Sequence, residues 1–120
     1  MAEVNVAKER VKPIRITDEN GNVYTLAFDR DSVRFAEARG FDIDQLLTFP
    51  QTNIPALWFY AFRKNHPKVA RANTDKMLER LGGLKQEELG RLVELYNEPN
   101  NALIATDDDE RKNSGMTMEL

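Results

Sequence analysis

The segment "NIPALWFYAFRKNH", Asn53 to His66, is the most apolar stretch of the chain, and its reading decides how the rest must be arranged. Thr52 or Asn53 can cap a helix here, Pro55 is tolerated in a first turn whose amides lack helical partners, and Pro67 ends the run just after His66. Ile54, Leu57, Trp58, Ala61 and Phe62 fall on one face at helical spacing, while Phe59 and Tyr60 carry apolar surface well around the cylinder. One face is expected to be core. The remainder needs a second contact, either a neighbouring helix of the same domain or a partner protein.

Toward the N-terminus the periodicity changes to that of strands. Val11, Ile14 and Ile16 lead into "TDENGNV", where Asn20-Gly21 is expected to supply the positive φ angles of a tight turn. Val23, Tyr24, Leu26 and Phe28 make the return strand, which places a hairpin over residues 11–17 and 22–28. Pro13 lacks an amide hydrogen, so the first strand should lie at an edge. Two strands alone are marginal in water and need helices or another subunit against them. Asp31 or Asp29 can cap a helix through about Arg39, with Val33, Phe35, Ala36 and Ala38 as its apolar side and Gly40 as its exit. A short turn follows, capped by Asp42 and stopped by Pro50.

Toward the C-terminus a basic link, "RKNHPKVARA", leads to a helix over 74–82, capped by Asn73 or Thr74 and closed by Gly82-Gly83, with Met77, Leu78 and Leu81 as its stripe. A last helix over 86–97 carries Leu89, Leu92, Val93 and Tyr96 and is bounded by Pro99. The predicted fold class is α+β: an N-terminal β-hairpin followed by four to five short helices, mainly helical. Residues 1–10 read as an N-terminal arm, 11–105 as a single α+β domain, and 106–120 as an acidic tail for which disorder is expected.

Composition narrows the function classes. The 120 residues carry a net charge of -3 and 31% charged residues, so nothing attracts the chain as a whole to nucleic acid or an anionic membrane. There is no cysteine, hence no disulfide framework or thiol nucleophile. No basic-then-apolar start suggests a secretory signal, and the uncharged run from Phe49 to Phe62, broken by two prolines, is shorter than the roughly 20 residues of a spanning helix. His66 is the only histidine; beside the end of a helix it is expected to cap terminal carbonyls rather than act as a base. Asp107, Asp108 and Asp109 are consecutive, not spaced as in a calcium loop, and Gly82-Gly83 lacks the Lys-Ser/Thr of a phosphate loop. A helix-turn-helix reading of the last two helices fails on charge, because Glu87, Glu88 and Glu94 oppose Arg91 alone. The cluster Arg63, Lys64, Lys68 and Arg71 reads as a solvated link or as a docking point for an acidic partner. These features point away from an enzyme, a cofactor, a metal and nucleic acid, and toward a protein that works by surface contact.

Longer strings then become informative. "YTLAFDRDSVRFAEARGFDIDQLLTFP", "IPALWFYAFRKNHPKVARANTDKMLERLGGL" and "LGRLVELYNE", together spanning Tyr24 to Glu98, resemble the tail assembly chaperones of long, non-contractile-tailed bacteriophages and prophages. The likeness lies in fold-patterning residues: Phe28-Asp29-Arg30, the Arg39-Gly40-Phe41 helix exit, the apolar helix ending in Phe62-Arg63-Lys64-Asn65-His66-Pro67, and the Leu-rich helix ending at Tyr96. It implies a protein of the bacterial host's cytoplasm that binds the tape measure protein, keeps it soluble, helps recruit tail tube protein and is absent from the mature virion. Many such proteins also exist in a longer, frameshifted form. A chaperone of this kind needs exposed apolar surface of low specificity and repetition of itself along the client, so a homo-oligomer joined through the hairpin edge is expected. Client contact is assigned to Trp58, Phe59, Tyr60 and Phe62, with Leu89, Leu92, Val93 and Tyr96 as the competing face; alternatively both faces pack together as core. The rival function is a structural adaptor, such as a head-tail joining or tail-terminating protein.

Overall fold

The computed structural model describes residues 10–104, 116 and 118–120. The expected N-terminal arm (1–10) and acidic tail (106–120) fall for the most part outside the described residues. An antiparallel hairpin, β1 (Ile14–Thr17) and β2 (Val23–Leu26), precedes four helices: α1 (Arg30–Ala38), α2 (Pro50–Phe62), α3 (Arg71–Leu81) and α4 (Gln86–Asn101). A 3-10 turn over Ile43–Gln45 links α1 to α2, with Asp42 at its cap as expected. The fold is therefore α+β and mainly helical, as the sequence patterns require.

The strands pair from Ile14 opposite Leu26 to Thr17 opposite Val23. Both are shorter than expected, and the turn differs in kind. Asn20 does not adopt positive φ; Gly21 alone does, at 83°. The loop 18–22 is instead built around the Asp18 carboxylate, which accepts the backbone N–H groups of Asn20 and Asn22, each at 2.9 Å. A side-chain acceptor thus organises a longer connection than Asn-Gly alone would make.

Of the two cap candidates for α1, Asp29 is used. Its carboxylate accepts the Ser32 N–H at 2.8 Å while its own N–H donates to Ser32 Oγ at 2.8 Å, a reciprocal capping box. The helix leaves through Gly40 at φ 82°, where Gly40 N–H and Phe41 N–H return to the Glu37 and Ala36 carbonyls. That exit turns Phe41 inward, and it is buried.

Three boundaries depart from expectation. Pro50 begins α2 rather than ending the preceding turn: it is the first helical residue, where a missing N–H costs nothing. Thr52 and Asn53 consequently lie inside the helix, Phe49 occupies the cap without a side-chain bond, and Pro55 sits beyond the first turn. Helix α3 starts at Arg71, with Ala70 at the cap, so Asn73 and Thr74 are internal. Helix α4 runs through Pro99 to Asn101 instead of stopping before it.

Helix α2 is the hub, touching β2, α1, α3, α4 and the 3-10 turn. That is why it is apolar nearly all round: a helix surrounded by its own domain has no polar face to keep. Its Leu57, Trp58, Ala61 and Phe62 are at most 1% exposed and meet Leu26, Val33, Ala36, Leu92 and Leu95 in one core. Leu95, which the expected stripe omitted, is as buried as Leu92. Leu81, included in the α3 stripe, is instead 54% exposed.

Candidate interaction surfaces

The aromatic residues assigned to client contact are mostly interior. Trp58, Tyr60 and Phe62 of α2, and Leu92 and Tyr96 of α4, are buried; Phe59, Leu89 and Val93 are half-buried and packed against the core. The two faces meet each other through Phe41, whose ring lies 5.5 Å from Tyr60 and 5.4 Å from Tyr96 in edge-to-face geometry. In this conformation the α2 and α4 aromatics hold the domain together. Trp58 satisfies its indole N–H on the carbonyl of buried Thr74 at 2.8 Å, tying α2 to α3. Burial, together with the nearby charges of Glu37 and Asp42, pushes the Tyr96 phenol up to about 12.

Exposed apolar surface is found elsewhere. Leu47 is 75% exposed and Phe49 60%, both on the short link between the 3-10 turn and α2. The link is held by one carbonyl: Gln45 O accepts Thr48 N–H at 3.2 Å, Phe49 N–H at 3.0 Å and Asn53 Nδ2 at 2.9 Å. Two large apolar side chains are therefore presented on a fixed backbone. The string "LLTFP" carries this signal, but reading Pro50 as a stop concealed it, since Leu46 alone of its apolar residues turns into the core.

Among the described residues the hairpin has one covered and one open edge. Thr25 of β2 donates its N–H to His66 Nε2 at 2.9 Å and accepts Asn65 Nδ2 on its carbonyl at 3.1 Å. Two residues on, Ala27 N–H reaches the Ala61 carbonyl at 3.1 Å. The segment after α2 thus closes the outer edge of β2. His66 does not place its ring on terminal carbonyls of its helix, as expected; its backbone N–H makes that bond, to Phe62 O at 2.7 Å, while its imidazole accepts from the sheet. Because Thr25 turns its peptide groups away from β1, its partner Arg15 turns outward on the other side, and by alternation so does Thr17. Further along that edge Pro13 has no N–H to offer, and Val11 N–H is taken by the Glu98 carboxylate.

The basic cluster is exposed at Arg63, Lys64, Lys68 and Arg71, with Arg71 ion-paired to Asp75 at 2.9 Å. A crevice of about 10 Å³ lies among Phe59, Phe62, Arg63, His66, Pro67 and Val69, room for about one water. Among the described residues no group of three or more His, Asp or Glu could hold a metal ion, and no helix is long and apolar enough to cross a membrane.

The family model described as Domain of unknown function (DUF5055) matches residues 1–120, and the chain belongs to that family. No curated protein and no solved structure matches it.

Proposed function

For this member of the DUF5055 family we propose a tail assembly chaperone that binds the tape measure protein of a long-tailed phage or prophage, keeps it soluble in the host cytoplasm, assists recruitment of tube protein and leaves before the virion is complete. The observation that carries the reading is the pair Leu47 and Phe49, large apolar residues held exposed on a hydrogen-bonded link. They offer contact to amphipathic helices of varied sequence. Fully covering a Leu or Phe contributes roughly 1.5–3 kcal/mol, less than association costs, so a single copy would bind weakly. Many copies along one long client overcome this through effective concentration. Copies would join through β1, where the outward peptide groups of Arg15 and Thr17 have no hydrogen-bond partner among the described residues, because β2 is closed by Asn65 and His66.

Co-expression with the helix-rich tape measure protein tests the proposal. The client is expected to become soluble only in the presence of this chain, to co-purify with several copies of it, and to lose both properties with the double variant Leu47→Ser, Phe49→Ser at an unchanged melting temperature. A client that stays insoluble with the wild-type chain overturns the reading. So does finding this chain in purified virions by mass spectrometry.

A further inference from the structure

We propose that Phe35 and two arginines form a receptor for a pair of carboxylates carried four residues apart on a helix of a partner protein. The Arg39 guanidinium carbon lies 3.6 Å from the centre of the Phe35 ring, and that of Arg63 lies 3.5 Å from it. Two guanidiniums cannot share one face at those distances without overlap. They therefore cover opposite faces of the ring, about 7 Å apart. Phe35 comes from α1, Arg39 from its exit and Arg63 from the end of α2, so three positions of the tertiary fold converge on one ring.

Stacking fixes the plane of each guanidinium and leaves the N–H groups along its edge free to donate. Among the described residues the ion pairs are Arg71 with Asp75 and Arg80 with Glu19, and no hydrogen bond or ion pair engages the guanidinium of Arg39 or of Arg63. Both are exposed, and two like charges at this spacing repel each other. A dianionic partner relieves that repulsion. Positions four apart on a helix hold their Cβ atoms about 5–6 Å from one another, so two glutamates there reach both planes by modest splay. Two carboxylates match the two stacked planes one to one, whereas a single phosphate would have to serve both guanidiniums from one centre, and the net charge of -3 disfavours a nucleic-acid polyanion. The site stands independently of the chaperone reading.

The probe is an alanine-based helical peptide with two glutamates four residues apart, titrated against the whole chain by calorimetry and by NMR of the arginine Nε–H groups. The expected result is perturbation of the Arg39 and Arg63 signals. Arg39→Gln or Arg63→Gln should weaken binding about tenfold, and Arg39→Lys, which keeps charge but loses the stacked plane, by at least about threefold. Arg30→Gln, an exposed charge removed from the same helix, should change affinity less than about twofold. Three results each overturn the proposal: equal binding of a glutamine version of the peptide, an Arg30→Gln loss equal to that of Arg39→Gln, or displacement of the peptide by inorganic phosphate at equal concentration.

Discussion

His66 and Tyr96 each carry a consequence out of proportion to their size. The imidazole Nε2 of His66 accepts a strand N–H, which assigns the ring proton to Nδ1 and makes the residue a structural acceptor. Replacing it with Leu leaves the Thr25 N–H without that partner, and urea unfolding should show a loss of about 1–3 kcal/mol. His66→Gln, whose amide oxygen can accept, should recover part of it. No reading of the sequence could pair these residues, because nothing local to His66 indicates an acceptor's role for a donor 41 positions away. Tyr96 gives a pH dependence. In the unfolded chain its phenol titrates near 10, whereas in the native state burial holds the proton to about 12. Between those values the native state binds more protons, so stability falls as pH rises through that window. Thermal melts from pH 9 to 12 should show the decline, and Tyr96→Phe should reduce its steepness.

At the scale of elements, ends matter more than interiors. Asp29→Ala removes the α1 cap and should cost about 1 kcal/mol in urea unfolding. Gly82, at φ 77° with open space where a Cβ would stand, terminates α3; Gly82→Ala should cost about 1 kcal/mol from backbone strain alone. These signals were legible because a cap or a left-handed exit is chemistry within a few residues of itself. Two of the three misread boundaries share one cause: proline does not declare which side of it the helix lies on. Pro50 both suits the start of α2 and would suit the end of a preceding turn, and only the packing of α2 at the centre decides between them. Pro99 lies in the last turn of α4, where losing one amide donor does not outweigh continued packing of the helix. Helical spacing identified most of the buried residues of α2 but missed Leu95 of α4, and it could not separate a core face from a contact face. In a helix enclosed on every side the two look alike in sequence.

At the scale of the molecule, the hairpin is closed on one side by its own chain and, among the described residues, open on the other. If copies join through β1, Arg15→Pro, which removes an outward N–H, should abolish the oligomer seen by light scattering while leaving the monomer folded. Asn65→Ala, on the closed side, should leave the oligomer intact. The same closure gives the protein an internal clock. The Thr25 amide faces away from its partner strand, so a hairpin standing alone would surrender that hydrogen to deuterated solvent at once; here it can exchange only when Asn65 and His66 lift from the sheet. Its exchange rate, set beside those of β1-facing amides such as that of Tyr24, reports how often the helical layer parts from the strands without the strands themselves coming apart.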